Sequence, residues 1–570
     1  MLEYELPLEH RRPDVVFLSS GSVFVLELKG ASRLALAALD QASAYARDLR
    51  AYHAVCQGRP VHPVLVLTHR SGRLGNDAGV EITGIDGVDE VVDALDVPDP
   101  VDPIDLQAFL APEAYAPLPT IIEAARQLFQ SGQLHRIGRA AAATKPALDS
   151  ITAIAHEAAR TNTRRLVILT GIHGAGKTLV GLQVAHAKFL DDLAVDRGDG
   201  RFHSPAVYLS GNGPLVEVLQ YEFRGSGGGG KAFVRDVKAY VERYTQNPRL
   251  TPDEHVLIYD EAQCAWDADR VADKHGARGD GRSEPEHFIE FAERIPGWCV
   301  VLALVGQGQE IHIGEEAGLG QWRSAIERAE GDWTVHTPSR VADVFAGLPA
   351  VEVSNALHLH TEIRFHLAHQ VDAFVETLLA DDDAPQLTEL ARMLETRGYH
   401  LRITRDLDVA KRHMRERYSG DPDSRFGILV SARDKELVRF GVSASSGRFS
   451  RFAYGPWYVE GDEDPLGRSC RALREAVTEF GAQGLELDGA LLAWGTDFVR
   501  EDGRWSNRLA KRYQDPKRIR DAYQLRKNAY RVLLTRGRDG TVVFVPPMSL
   551  LDGTYDHLLR AGFRPIKEAV

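Results

Sequence analysis

The chain has 570 residues, 44% hydrophobic and 26% charged, which fits a soluble protein of several domains. A net charge of −13 excludes a general polycation, and no apolar run is long enough to span a bilayer. Four scattered cysteines without zinc spacing, and no signal-peptide pattern after Met1, lead to the expectation of a cytoplasmic protein.

Residues 1–96 read as strand, strand, helix, strand and a further short strand: "DVVFL", "VFVLELK", "LALAALDQASAYARDLRAYHAV", "VHPVLVLTH" and "VEITGI". The second strand is apolar on both faces, yet it ends in Glu27 and Lys29. Side chains two apart in a strand share a face, and charges there are costly unless paired or metal-bound. Antiparallel pairing across the Ser-Ser-Gly turn brings Asp14 close to Glu27. Two carboxylates on one metal ion, with a lysine beside the attacking water, is one reading. A strand end that has reached solvent is the other. Gln41 and Tyr45, four apart, share one face of the following helix.

"VPDPVDPIDL" marks a boundary, and residues 97–144 read as linker and helical connector. Beyond it strands and helices alternate, the pattern of a parallel sheet covered on both faces. "LVILTGIHGAGKTLVGLQVAHAKFL" is a strand, a glycine loop and a helix. Gly171, Gly174 and Gly176 let backbone N–H groups wrap phosphates, Lys177 reaches the terminal phosphates, and Thr178 ligates Mg2+. "HVLIYDEAQCAW" adds Asp260 to hold the magnesium, Glu261 to polarise the attacking water and Gln263 to sense the γ-phosphate of ATP. A second α/β pattern starts near 350, giving expected units at 145–348 and 349–570. The basic stretch 508–538 is a solvated helix face in one reading; Tyr513, Tyr523 and Tyr530 leave strand binding open.

Asp-Glu-Ala-Gln after this loop resembles superfamily 1 helicases, and further stretches are similar to their ordered motifs. "AVYLSGNGPLVEVL" looks like the motif that contacts single strands, which implies Ser210 and Asn212. "LALVGQGQEIHIGEEAG" implies Gln307 as the coupler between nucleotide and nucleic acid. "AQGLELDGALLAWG" carries Gln483, Gly484 and Glu486, the last implied at the nucleotide. "NAYRVLLTRGRDGTVVFVP" offers Arg536 as the finger stabilising γ-phosphate charge. Arg364 sits where the fourth motif has a second arginine; a surface salt bridge is its other reading. "SGNGPL", "GQGQEIH", "QGLELD" and "YRVLLTRG" resemble the bacterial Schlafen-type DNA/RNA helicase family over residues 145–570. The resemblance implies two RecA-like P-loop lobes.

Pro13-Asp14 with Glu27-x-Lys29 resembles the PD-(D/E)xK restriction-endonuclease-like fold, and Gln41-x-x-x-Tyr45 is similar to the substrate-touching motif of RecB-like nucleases. That family usually opens with a helix bearing another acid, whereas this chain starts directly at "MLEYELPL"; Glu5 or Glu9 as a substitute is one reading, and an absent leading helix is the other. The implied whole is a nuclease–helicase using ATP and Mg2+, with Mn2+ an option at the nuclease site. Its partner is single-stranded or tailed DNA, with RNA the other choice, and it engages no membrane. Two alternatives stand: a nucleic-acid-dependent ATPase whose nuclease-like domain only binds, and a nucleotide-gated signalling or assembly module.

Overall fold

The computed structural model describes residues 1–7, 11–96, 103–131, 138–171, 174–186, 188–196, 202–225, 233–265, 281–306, 318–360, 365–380, 385–443, 452–510 and 521–566. The valine- and phenylalanine-rich runs at the start form a hairpin, β1 (Val15–Ser19) and β2 (Ser22–Lys29), paired antiparallel through a two-residue turn at Ser20 and Gly21. Helix α1 (Leu36–Tyr52) crosses over to β3 (Val61–Leu67), parallel to β2. An exposed edge strand β4 (Arg73–Asp77) pairs with β5 (Val80–Thr83), giving the order β1-β2-β3-β5-β4. Every residue of α1 from Ala37 to Leu49 is buried, which one sheet face alone does not achieve. Helices α2 (Ile121–Ser131) and α3 (Gly138–Thr161) follow.

Next comes a sheet whose strands all pair in parallel. Its strands are β6 (Arg164–Gly171), β7 (Ala206–Ser210), β8 (Val234–Asp236), β9 (Val256–Asp260), β10 (Cys299–Val305), β11 (Trp333–Thr337), β12 (Val351–Val353) and β13 (His358–Leu359). The order is β8-β7-β9-β10-β6-β11-β12, with β13 also on β6. Helices α4 (Lys177–Ala185), α5 (Gly213–Gly225) and α6 (Gly320–Glu327) belong to this unit. Apart from Arg164 and Arg165 at the start of β6, its central strands are buried, as a sheet covered on both faces requires. The sheet runs past residue 349, where the sequence led us to start the second unit. β12 and β13 are too short to carry a readable hydrophobic pattern, and only pairing assigns them here.

The second parallel sheet comprises β14 (His400–Thr404), β15 (Phe426–Val430), β16 (Ala476–Thr478), β17 (Leu487–Ala493), β18 (Gly537–Phe544) and β19 (Arg564–Pro565), in the order β16-β15-β17-β18-β14-β19. Helices α7 (Gln386–Thr396), α8 (Leu407–Arg417), α9 (Tyr454–Val459) and α10 (Ala522–Leu534) flank it. One hydrophobic core joins the two lobes, from Leu118 through Leu169 and Trp457 to Phe563. No described helix is long and apolar enough to cross a membrane.

Helix α10 corrects the reading of the basic stretch. Tyr530 is fully buried and donates to Asp497 at 2.9 Å, so it faces the core and no strand. Arg526 is likewise inside, between Glu479 at 3.2 Å and Asp497 at 3.1 Å. Tyr523 is half-buried, and Tyr513 lies outside the described residues.

Candidate functional site

The glycine loop leaves β6 at Gly171 and enters α4 at Lys177. Gly174 and Gly176 take φ of +72° and +87°, a backbone that favours glycine and turns N–H groups toward an anion. Lys177 donates to the Gly171 carbonyl at 3.1 Å. Burial lowers its pKa, while Glu261 and Asp260 oppose that shift. Asp260 ends β9 and is 3% exposed; Thr178 donates to one of its oxygens and Ser210 to the other, each at 3.4 Å. Burial, and then the charge of Glu261, push the Asp260 carboxyl up to about 7. A buried acid this short of positive charge, beside a threonine hydroxyl, is a donor set that fits a divalent cation.

Glu261 holds φ +53°, a left-handed backbone, at the turn after β9. Gln263 donates to its carboxylate at 2.5 Å and accepts from the Gly306 N–H at 2.8 Å. Behind the turn, the Trp322 indole of α6 donates to the Ala262 carbonyl at 2.8 Å and Gln321 to that of Ala265 at 3.1 Å. Gly306 was missed in the sequence. A Cβ there would sit 3.2 Å from Gln263 Nε2 and 3.3 Å from Glu261 Oε2, so its lack of a side chain makes the approach fit. Its one signal was a glycine closing the apolar strand β10. His358 was missed too. Arg340 donates to its Nε2 at 3.0 Å, so Nδ1 carries the proton and meets Thr170 Oγ1 at 2.7 Å, just before the glycine loop.

Ser210, expected at a nucleic-acid strand, is fully buried against Asp260, because β7 lies beside β9 in the sheet. Asn212 reaches the other lobe instead, donating to the Gln483 carbonyl, and its Oδ1 accepts from Leu215 N at the start of α5. Arg536 is buried in the second lobe, donating to the carbonyls of Val532 at 3.0 Å and Leu485 at 3.4 Å. Glu486 acts electrostatically on Arg538, and its carbonyl accepts from Tyr458. Gln307 and Arg364 lie outside the described residues.

The N-terminal residues form a second cluster. The hairpin register pairs Val15 with Leu26, which sets Asp14 across from Glu27, and Asp14 accepts the Leu28 N–H at 2.7 Å. Lys29 Nζ lies 2.8 Å from Glu27 Oε1 and 2.9 Å from Gln41 Oε1; Gln41 in turn donates to the Tyr45 hydroxyl at 3.2 Å. Thus Glu27, Lys29, Gln41 and Tyr45 form one hydrogen-bonded chain, and the Asp14 charge acts on Glu27 beside it. Burial pushes Glu27 up to about 6, with Lys29 opposing and Asp14 adding to the shift. Among the described residues its buried Oε2 has no hydrogen-bond partner and stands as an open acceptor. Glu5 pairs with Arg12 at the surface at 2.8 Å, and Glu9 lies outside the described residues.

A third group, Asp40, Glu395 and His400, has metal-like spacing. A metal does not fit there. The Arg402 guanidinium, itself fully buried, already bridges Asp40 and Glu395, reaching the latter at 2.6 Å.

Parallel lobes, a glycine loop at a helix N-terminus and an acidic turn on a neighbouring strand define a P-loop nucleotide-binding protein. A family model described as Schlafen group 3, DNA/RNA helicase domain, matches residues 164–547, more than half of the chain. The chain belongs to that family of helicases. Among solved structures, the Pyrococcus furiosus Hef helicase domain is similar at 12% identity and a TM-score of 0.27, over 72% of this chain and 97% of that one. A variant of S. cerevisiae dbp5 bound to gle1 and ip6 is similar at 10% identity and a TM-score of 0.25, over 71% and 85%. No curated protein matches the chain.

Proposed function

We propose that the chain is an ATP-driven single-strand translocase with a metal-dependent phosphodiesterase at its N-terminus, acting on DNA before RNA. The observation that carries the second half is the chain from Glu27 through Lys29 and Gln41 to Tyr45, with Asp14 across the hairpin and a Glu27 Oε2 that has no partner among the described residues. Asp14 and Glu27 would hold Mg2+ or Mn2+, which supplies Lewis acidity to the scissile phosphate when bound. Lys29 donates toward the attacked oxygens, and Gln41 and Tyr45 orient the strand. In the lobes, Lys177 and the loop amides hold the phosphates of ATP, while Thr178 and Asp260 hold Mg2+. Glu261, fixed by Gln263, takes the proton of the attacking water. Arg536 reaches the γ-phosphate only by leaving the carbonyls of Val532 and Leu485, so its role requires rearrangement as the lobes close. The units would divide as 1–96, 97–144, a first lobe reaching β13, and a second lobe beyond.

The binding-only alternative for the N-terminal domain draws on one observation: Glu27 is 3% exposed and already paired with Lys29. A paired assay decides. Asp14→Ala, Glu27→Ala and Lys29→Ala should abolish metal-dependent cleavage and leave strand-stimulated ATP hydrolysis intact. Lys177→Ala should do the reverse for ATP turnover. No cleavage by the unaltered protein with any metal or substrate would establish the binding-only reading.

A further inference from the structure

Helix α1 has two sides, and both are occupied. One packs on β2 and β3; the other lies on the second lobe, chiefly on α8. In its first half Asp40, fully buried, is gripped by Arg402 of β14, with Nε 3.1 Å from one oxygen and Nη2 on the other. His413 of α8 stands 3.2 Å from the same carboxylate. In its second half Arg47 contacts Asp539 of β18 at 2.7 Å and the Gly398 carbonyl at 3.1 Å. Asp48 holds Arg47 at 2.7 Å and Arg11 at 2.6 Å. At the end of α1 the Tyr52 hydroxyl meets His366 Nδ1 at 3.2 Å. Asp539 follows Arg536 by three residues, and His366 stands one residue past Phe365, which stacks on Tyr399 beside β14. Between these anchors the same helix carries Gln41 and Tyr45.

We propose that α1 is the transmission element by which the nucleotide state of the lobes sets the geometry of the N-terminal cluster. The inference rests on the nuclease reading above. A 17-residue helix moves as one body, and buried charges leave no slack, because a broken pair strands an uncompensated ion. When β14 and β18 shift, Asp40 and Arg47 carry α1 with them. Gln41 then moves against Lys29, now 2.9 Å away, and Lys29 against Glu27. A misplacement of about 1 Å at such a site alters rate by about 100-fold. Asp40, Arg47 and Tyr52 are positioning residues here; none touches the cluster's reacting atoms.

The test uses the full chain in Mg2+, with and without a non-hydrolysable ATP analogue whose binding is confirmed by titration. Hydrogen exchange of peptides covering α1 is read beside cleavage of a labelled single strand. The analogue should change both by about fivefold or more, a typical coupling between sites. Arg47→Gln should erase that nucleotide effect, and the gentler Tyr52→Phe, which keeps volume and loses one hydroxyl, should reduce it. Identical α1 exchange with and without bound analogue overturns the inference. So does a nucleotide effect of the same size in all three proteins, since the signal then bypasses α1. Nucleotide-dependent exchange without any cleavage keeps the coupling and removes the nuclease reading alone.

Discussion

Glu261 adopts a left-handed backbone that costs a non-glycine residue about 1–2 kcal/mol, and it is kept there by Gln263, Gly306 and the Trp322 indole. Such strain at the end of a strand aims the carboxylate out of the sheet, toward Lys177 and the loop. Glu261→Gln keeps this geometry and removes the proton acceptor. ATP turnover should fall by about 100- to 10,000-fold with nucleotide affinity retained, as steady-state hydrolysis and equilibrium binding will show. Wild-type turnover in that variant would remove Glu261 from the reaction. Gly306→Ala should lower turnover without unfolding the protein, because its new methyl presses on Gln263 Nε2 and Glu261 Oε2 at about 3 Å. Asp488 offers a titration. It lines a cavity of about 300 Å3 among Arg47, Arg538, Asp421 and Asp539. Burial, and then the charge of Asp539, push its carboxyl up to about 7. The folded protein therefore holds a proton that the unfolded chain releases near pH 4, and stability drains away as pH rises from there to 7. Asp488→Asn removes that slope, so urea denaturation should show the variant gaining on the wild type between pH 5 and 8. An equal difference at both pH values would contradict the shift.

Helix α4 begins at Lys177 and must lie close on its sheet to aim that side chain. Gly181 makes that possible: a Cβ there would sit 2.7 Å from Leu304 Cδ1 and 2.9 Å from the Tyr208 ring. Gly181→Ala should cost about 1–3 kcal/mol by overpacking and weaken nucleotide binding by lifting Lys177; denaturant unfolding and nucleotide titration measure the two effects. Elements of this kind were legible in part. The loop from Gly171 to Thr178 and the turn at Asp260 were readable because local sequence dictates both, and parallel strands then bring them together. Glu27, Lys29, Gln41 and Tyr45 were readable for the same reason, through strand and helix periodicity. The burial of Ser210 was not legible because a buried hydroxyl beside Asp260 and an exposed one look alike in sequence. Tyr530 and Arg526 were invisible as core residues because their partners come from elsewhere, Asp497 from a turn and Glu479 from the start of a short helix. The last strands of the first lobe's sheet, β12 and β13, were missed because two- and three-residue strands exist only through their neighbours.

At the scale of the whole molecule, the N-terminal unit is completed by the far end of the chain. Asp40 and Arg402 are both wholly buried, and α1 shields its second side by lying on the second lobe, chiefly on α8. Residues 1–96 expressed alone should therefore lose cooperative unfolding, whereas the full chain keeps it. Circular dichroism through a urea series checks this, and a cooperative transition at the full-chain midpoint would show that α1 needs no lobe. Removing only Arg402, as in Arg402→Met, should cost about 3–5 kcal/mol, since it leaves Asp40 buried without the guanidinium that grips both its oxygens, while Glu395 keeps only Arg564 at 3.4 Å. The same pairing sets a schedule during synthesis. Asp40 and Arg402 are 362 residues apart, so at ordinary translation speed the ribosome takes about 20 to 70 s to make the partner after the acid has emerged. For that interval α1 waits with an unmatched carboxylate and a bare alanine-rich face. A segment made well before its partner settles only after that partner has emerged.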